Sequence, residues 1–525
     1  MRWNDRTRGL VLFALALLIY GFGIGRAFVF DDVVYISDNS LLHRPDAFRA
    51  FWFTSEAFNY YPLFWSLLRI QWLLWGNHPL GYHLVNLLVH CTNALLVWRI
   101  ARLWRLPAAW WVAALFAVHP VNVQTLSWAA EQKNTWSFLF MALALLAFDK
   151  HTARRDWRSY AVAFVCFVAA LACKTSTVCL PVFLAMRYAF TQRANARAIL
   201  LKLMPFFAAA FAAGVTTMWF EQNRVGAKSL MSTLSLWQRI EASGAAFWFY
   251  LEKALLPVHL TPMYQGWVDS TASSHGLLPG LLLAIALVAC ALLSRHIGAA
   301  VALGFGYYAL MLLPLLGIFD TNYFAYSQVA DHWQYHALPG VIVAAVAAVH
   351  ALVQRIPQLT RYSQPAGFVT LAATALLASL HCAHFEDART LWTYVIKENP
   401  QAWIAWYNLG NEDANRGEPE TAIAEYRESI RVKPDYYRAR FNLANSLAAT
   451  GRLEDADRAY LDARALHPDD PDSFVNHGVV LLRLGRTREA ESEFRYALSL
   501  EPAKQSASAN LARIETRREA HDERL

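Results

Sequence analysis

Cysteine is scarce in this sequence, with six in 525 residues, and no two of them form a CxxC pair. All six lie in or beside apolar stretches: Cys91, Cys166, Cys173, Cys179, Cys290 and Cys382. A metal site or a disulfide framework needs regularly spaced cysteines, so neither is indicated. We expect these cysteines to be small buried residues.

Charged residues are also few, at 17% of the chain, whereas 56% of it is hydrophobic. This excludes an ordinary soluble multidomain protein, because several apolar runs approach the roughly 20 residues that cross a bilayer. From Phe385 onward 25 Asp and Glu outnumber 20 Lys and Arg, so the basic excess belongs to the apolar part. Basic residues at span ends follow the positive-inside rule, and no nucleic-acid partner is implied.

The apolar segments predict a polytopic protein with about eleven spans. They lie near 10–28, 83–101, 109–128, 134–149, 159–174, 176–190, 203–219, 276–293, 298–318, 337–354 and 366–384. The first lacks a small-residue cleavage site, so we expect it to be retained, with the N-terminus cytoplasmic. A further stretch, 242–256, contains Glu252 and Lys253 and is expected to lie along the interface. If 242–256 does not cross the membrane, all the basic clusters, such as Arg99/Arg102/Arg105, lie on the cytoplasmic side. Eleven crossings then put the C-terminal tail on the outer face.

The tail carries a 34-residue repeat marked by prolines at 400, 434, 468 and 502. This is the tetratricopeptide period, and small residues such as Gly410, Ala444 and Gly478 recur where paired helices would approach closely. The predicted domains are a membrane domain at 1–384, a linker helix at 385–400, and three repeats with a polar capping helix at 401–525. The repeats are either a structural cap or a concave peptide-binding surface.

Two adjacent acids, Asp31 and Asp32, follow the first span in "FVFDDVVYISDN". Acids at the end of a span are commonly solvated interfacial groups, but the loop that follows, 33–82, is long and aromatic, as expected of a segment over a cavity. Lys174 lies between two apolar stretches, where snorkelling or a bound partner would accommodate its charge. His83 and His90 are seven residues apart, and helix-packing hydrogen bonds explain them better than a metal pair.

Several further motifs make the sequence resemble a known family. They are "NYYPLFWSLL", "WGNHPLGYHLVNLLVH", "LFAVHPVNVQTLSWAAEQKNTWSFLF", "RIEASGAAFWFYLEKALLPVHLTPMY" and "QVADHWQYHALPG", followed by the repeats. Together with the acid pair they resemble the transmembrane O-mannosyltransferases with tetratricopeptide repeats, especially their bacterial relatives, within the GT-C glycosyltransferase superfamily. The resemblance covers nearly the whole chain. It departs from the usual pattern at Tyr61, Gln124, Gln132 and Asp331-His332-Trp333 and does not identify the sugar.

The resemblance implies an all-α GT-C-like bundle followed by an α-solenoid, and an inverting enzyme. Its donor would be a polyprenyl-phosphate sugar and its acceptor a hydroxyl, with the repeats presenting an acceptor protein. Inverting transfer needs a carboxylate base and cationic groups for the departing phosphate. Asp31 or Asp32 is the base; Asp31 is favoured, with Asp32 orienting it or binding the acceptor backbone. The expected phosphate ligands are Lys133, Lys174 and His332, and the expected substrate-binding residues are Asp331, Tyr61 and His83.

The same resemblance implies a multi-pass protein of the bacterial inner membrane, with the acids and the repeats in the periplasm. Its expected partners are membrane lipid, a lipid-linked sugar and an acceptor protein. No cofactor is expected, and the need for a divalent metal is left open. Walker, Rossmann and Ser/His/Asp signatures are missing, which disfavours nucleotide-driven transport and hydrolysis. The alternative is a non-catalytic membrane scaffold whose repeats recruit an envelope or pilus partner.

Overall fold

A computed structural model describes residues 4–23, 25–192, 196–225, 234–264, 276–318 and 321–522. These residues form helices and contain no β-strand, which confirms the all-α prediction. The chain divides into two compact units, one comprising Met1–Leu391 and the other Trp392–Leu525.

The helices of the first unit alternate between long apolar elements and short connecting ones. Their bounds are Asp5–Tyr20, Ser40–His43, Ala47–Phe53, Pro62–Trp75, Pro79–Leu103, Ala109–Ala117, Asn122–Ser127, Gln132–Arg154, Trp157–Cys173, Leu180–Gln192, Ala196–Phe220, Leu236–Leu255, Leu278–Leu292, Ser294–Ile297, Ala299–Leu312, Leu338–Arg355, Thr360–Ala383 and Ala388–Glu398. The last of these reaches into the second unit.

Five helical segments of the described chain are long and apolar enough to cross a membrane, which makes this a membrane protein. They are Asp5–Gly23, Pro79–Leu103, Arg197–Arg224, Leu338–Arg355 and Pro357–Ala383. Four shorter apolar helices accompany them: Trp157–Cys173, Thr175–Phe190, Leu278–Leu292 and Ala299–Leu315. The total of eleven crossings and the interfacial position of 242–256 stay predictions.

The predicted span 109–128 is not one helix. The helix Ala109–Ala117 ends before His119 and Pro120, and a short helix, Asn122–Ser127, follows the turn. Proline lacks the N–H that would continue the helix. The broken stretch is buried throughout residues 116–135. It therefore lies inside the bundle, and it supplies much of the site described below.

Two glycines bring neighbouring helices into backbone contact. A Cβ added at Gly304, in Ala299–Leu312, would lie 2.6 Å from the carbonyl oxygen of Gly340, in Leu338–Arg355, and the converse distance is the same. Real side chains do not fit at that distance, so these helices pack as closely as they do because both positions lack a side chain.

The second unit is a stack of paired helices. These are Trp403–Asn415 with Pro419–Val432, Tyr437–Ala449 with Leu453–Leu466, and Pro471–Arg483 with Thr487–Leu500, followed by Gln505–Asp522. A Cβ added at Gly410 would lie 2.7 Å from the ring of Tyr426. A Cβ added at Gly478 would likewise lie 2.7 Å from the ring of Phe494, so small residues face aromatic rings across the first and third pairs, as the repeat predicted.

Candidate functional site

Asp32 is completely buried and is held by three backbone N–H groups. Its Oδ1 accepts from Ala130 N at 2.6 Å, and its Oδ2 accepts from Val29 N and Ala129 N, both at 3.2 Å. Burial raises the pKa of Asp32 to about 7, against the opposing effect of the three donors. With both oxygens engaged by the backbone, Asp32 fastens the acid loop to the segment at 129–130.

Asp31 is half-buried, and among the described residues no hydrogen bond or ion pair engages its carboxylate. Burial raises its pKa to about 6, which the charge of Lys133 partly opposes. Phe30, just before it, has a φ of 51°, a left-handed conformation that costs a bulky residue energy. A π-helical turn, Val33–Ser37, follows the pair. The acids thus sit between two uncommon backbone conformations that aim their side chains in different directions.

Glu131 joins the basic residues predicted for the donor phosphate. Its Oε1 lies 2.7 Å from Lys133 Nζ and 3.9 Å from His332 Nε2, and its Oε2 lies 3.5 Å from Lys174 Nζ. Burial would raise the pKa of Glu131, but the surrounding basic groups outweigh it and hold that pKa well below its usual range. The same carboxylate raises the pKa of Lys133 above its ordinary value despite burial. Glu131 and Lys133 are therefore both charged.

Lys174 is buried at the C-terminal end of the helix Trp157–Cys173, and it has a second partner. Its Nζ donates to Asn134 Oδ1 at 2.7 Å, and Asn134 Nδ2 donates to Glu131 Oε2 at 2.6 Å. Burial lowers the pKa of Lys174 to about 8. One carboxylate is thus shared by two ammonium groups, and a further anion would balance the site.

His332 is neutral and is oriented by Gln124. The backbone N–H of His332 donates to Gln124 Oε1 at 2.9 Å, and Nδ1 lies 2.8 Å from the same oxygen. A backbone N–H can only donate, so the amide oxygen of Gln124 must face His332, and Nδ1 carries the ring proton. Burial lowers the pKa of His332 to about 3. Its Nε2 therefore offers an acceptor and no positive charge to a ligand.

The residues predicted to bind substrate occupy three different places. Tyr61 is buried, with its hydroxyl 3.4 Å from Thr175 Oγ1, next to Lys174 in sequence. Asp331 is buried beside His332, and Tyr264 OH donates to its two oxygens at 3.2 and 3.0 Å. Burial raises the pKa of Asp331 to about 7. His83 lines a separate small cavity with Tyr20 and Ser127, and the structure shows no contact between His83 and the Glu131 group.

Several buried donors around this group lack a partner among the described residues. They are Gln124 Nε2, Trp128 Nε1, Trp136 Nε1 and Ser176 Oγ. The ring of Trp128 lies between Phe30 and His332, with centroid separations of 4.8 and 5.5 Å. A buried donor without an acceptor is costly, so such groups commonly mark a place where a ligand binds.

Glu131 and Tyr35 are the residues that the sequence interpretation missed as parts of the site. Lys133 Nζ lies 5.1 Å from the centroid of the Tyr35 ring, within the range of a cation–π contact. The signal for Glu131 was its place two residues before Lys133 in "EQKN", in a stretch otherwise apolar enough to be buried. A buried lysine needs a carboxylate, and Glu131 is the acid nearest to Lys133 in the sequence.

His90 makes hydrogen bonds between helices, as predicted, and His119 also bonds to a distant helix. His90 Nδ1 lies 2.8 Å from Tyr335 OH and its Nε2 lies 3.0 Å from Ala117 O, while His119 Nε2 lies 3.0 Å from Ala254 O. Within the described ranges no three His, Cys, Asp or Glu side chains are grouped so as to hold a metal ion. Metal dependence stays open.

Fold and site together define a polytopic helical membrane protein with a buried charged site and helical repeats. The family model described as "Tetratricopeptide repeat" matches residues 383–411, 409–471 and 475–523. The curated relatives include protein O-mannosyl-transferase Tmtc1 of Drosophila melanogaster, 33% identical over 31% of this chain and 21% of the relative. They also include tmtc2 of Xenopus laevis, 31% identical over 27% of this chain and 19% of the relative. These names confirm the resemblance that the motifs predicted. The matched segment spans about a fifth of the length of these relatives.

Among solved structures, MamA is 19% identical with a TM-score of 0.25, covering 26% of this chain and 79% of that one. The Arabidopsis OM64 TPR domain is 22% identical with a TM-score of 0.22, covering 22% of this chain and 96% of that one.

Proposed function

We propose that this protein is a membrane glycosyltransferase that moves a sugar from a polyprenyl-phosphate donor to a hydroxyl, most simply a protein O-linked acceptor. One observation carries the proposal. Asp31 is a half-buried carboxylate without a partner among the described residues, and the charge of Lys133 acts on it. Lys133 and Lys174 are buried and share a single acid, Glu131. The similarity to protein O-mannosyl-transferases supports the same class of reaction.

The proposed step is a single inverting displacement. The acceptor oxygen forms a bond to the anomeric carbon as the bond from that carbon to the phosphate oxygen breaks. The electron pair of the broken bond leaves with the polyprenyl phosphate, and the proton of the acceptor hydroxyl passes to Asp31. The leaving group gains negative charge, so fixed cations near it favour the transition state.

The described contacts suggest a different role for each residue of the site. Lys133 and Lys174 hold the phosphate, and Glu131 keeps both charged and in position before the donor binds. Neutral His332 can accept a hydrogen bond at Nε2 from a hydroxyl of the sugar or the acceptor, but it can neither donate to the phosphate there nor supply a countercharge, so it is not a phosphate ligand in this proposal. Asp32 positions Asp31 through its three backbone bonds and does not itself transfer the proton.

The proposed location is a bacterial inner membrane, with the site and the repeats on the periplasmic side. A site at the membrane edge lets the polyprenyl chain stay in lipid while the sugar meets an acceptor from the aqueous phase. The repeats would present the acceptor protein. Deleting residues 401–525 should then slow transfer to a folded protein while sparing transfer to a short peptide.

The test of the proposal is sugar transfer from a polyprenyl-phosphate donor by the purified full chain in detergent. Asp31→Asn should slow transfer by about 10²- to 10⁴-fold. Arg49→Gln, at an exposed position in the same outer loop, should leave it unchanged. Donors carrying mannose and other hexoses would identify the sugar. Failure of every donor to support transfer, or near-normal turnover in an Asp31→Asn/Asp32→Asn double variant, would favour the scaffold alternative.

A further inference from the structure

The loop that follows the acid pair encloses a cavity of about 190 Å³. Its apolar walls are Val34, Leu41, Phe51, Ala57, Phe58 and Trp65. Phe51, Ala57 and Trp65 belong to the buried cluster formed by the short helices of this loop, so these walls are fixed by packing. The cavity is thus a built feature of the loop rather than a gap between mobile side chains.

Tyr35 separates this cavity from the charged site. Its ring stacks on Trp65 at 5.0 Å and on Phe58 at 6.0 Å, and the same ring lies 5.1 Å from Lys133 Nζ. Val34 is part of the π-helical turn that begins directly after Asp32. The Tyr35 ring thus contacts both the cavity wall and Lys133, and two residues separate Asp31 from Val34 of the cavity wall in sequence.

Most polar groups at the cavity already have partners within the protein. Asn39 donates to Tyr35 O at 3.1 Å and accepts from Leu42 N at 3.0 Å. Glu56 Oε2 accepts from Arg44 Nη1 at 2.6 Å. The indole N–H of Trp65 donates to Asn59, at 3.2 Å to its backbone oxygen and 3.1 Å to Oδ1. A sugar ring needs many free donors and acceptors, so this lining favours an apolar ligand.

Asp38 and Ser40 are the exceptions. Among the described residues neither the carboxylate of Asp38 nor the hydroxyl of Ser40 has a partner, and both residues line the cavity together with the apolar walls. A carboxylate beside an apolar pocket can accept a backbone N–H of a peptide whose side chain enters that pocket. An extended polypeptide meets both features at once.

The volume sets the size of the ligand. An apolar cavity of about 150 Å³ is large enough to hold benzene. A cavity of about 190 Å³ is therefore large enough for one aromatic or large aliphatic side chain.

We propose that this cavity binds a single apolar side chain of the acceptor polypeptide, close to the hydroxyl that receives the sugar. The inference rests on the proposed function, which it deepens by naming a feature of the acceptor. Binding of one side chain in the cavity would hold the neighbouring hydroxyl near Asp31. It would also favour acceptor sequences that have an apolar residue at that position.

The main test compares short acceptor peptides that differ only in having Phe, Leu or Ala at each position flanking the accepting Ser or Thr. Wild-type protein should have a KM at least about tenfold lower for Phe or Leu than for Ala at one fixed position, with kcat little changed. Val34 is 47% exposed and lines the cavity, so Val34→Phe should block it and remove that preference. Val33→Phe makes the same change at a neighbouring residue that does not line the cavity, and it should keep the preference. Equal KM values for all peptides in the wild type would overturn the inference.

A binding measurement separates this inference from the proposed function. The Phe and Ala peptides are titrated against full-length Asp31→Asn protein, in which transfer is blocked, using fluorescence anisotropy of labelled peptide. Tighter binding of the Phe peptide, lost with Val34→Phe and kept with Val33→Phe, supports the cavity whether or not transfer is ever observed. Identical affinities for both peptides, or no effect of Val34→Phe, would overturn it even if the protein transfers sugar.

Discussion

The carboxylate of Glu131 lies 2.7 Å from the ammonium of Lys133, and both side chains are at least nine-tenths buried. Removing one member of such a pair leaves an unbalanced charge in a medium that solvates it poorly. Glu131→Gln should therefore lower the free energy of unfolding by about 3 to 5 kcal/mol. The measurement is thermal unfolding of purified protein in detergent.

The matched control is Glu252→Gln. Glu252 is 60% exposed, and Lys253 Nζ lies 3.6 Å from it, so this pair should contribute about 0 to 1 kcal/mol. Equal stability losses at the two positions would contradict the central place given to Glu131.

The two adjacent acids should respond differently to the same substitution. Asp31→Asn removes proton acceptance and should lower kcat by about 10²- to 10⁴-fold, with stability and donor binding unchanged. Asp32→Asn places an amide NH₂ against a backbone N–H in either orientation, because both oxygens of Asp32 accept from the backbone. We expect it to lower stability by about 1 to 3 kcal/mol. Kinetics and thermal unfolding of both variants decide between separate roles and a pair that acts as a unit.

The pH dependence of kcat/KM should be bell-shaped. Transfer needs ionised Asp31, whose pKa burial raises to about 6, so the rate should rise with pH through that value. Donor capture needs protonated Lys174, whose pKa burial lowers to about 8, so the rate should fall as the pH rises through that value. In the Lys174→Arg variant the side chain stays charged, so kcat/KM should no longer fall at alkaline pH. A profile in which both limbs persist in that variant would assign the alkaline limb to another group.

Lys174→Ala should weaken donor binding more than it slows the chemical step. The buried phosphate loses one of its two countercharges, and charge-assisted hydrogen bonds of this kind are among the strongest in proteins. The measurement is the donor KM together with kcat at saturating donor. Lys150→Ala, at an exposed lysine, is the control. A fall in kcat with an unchanged donor KM would assign Lys174 to catalysis rather than to binding.

The topology prediction is that the acid loop and the C-terminus share the outer face. Reporter fusions after residues 105, 270 and 384 should give cytoplasmic, outer and outer signals, because the basic clusters then share the inner side. A cytoplasmic signal at 384 would contradict eleven crossings and would remove the repeats from the side of the proposed site.

Features that depend on residues close together in the chain could be predicted from the sequence. The prolines at 34-residue spacing marked the repeats, and the lysine at 174 between two apolar stretches indicated a buried partner. The site was harder to predict because its contacts join distant segments. Asp32 binds backbone 97 and 98 residues away, and His332 binds a glutamine 208 residues away. The break at Pro120 was missed because the surrounding residues are apolar enough to pass for a continuous span.

The three backbone bonds of Asp32 also bear on how the protein tolerates different lipid environments. Spans tilt when the bilayer is thicker or thinner than their apolar length. The acid loop is tied to Ala129 and Ala130, three residues before Lys133, and not only to the helix Asp5–Tyr20 that precedes it. If the tilt of that first helix changes, these bonds hold the acid loop in place relative to Ala129 and Ala130. The distance between Asp31 and the lysines would stay constant across membranes of different thickness.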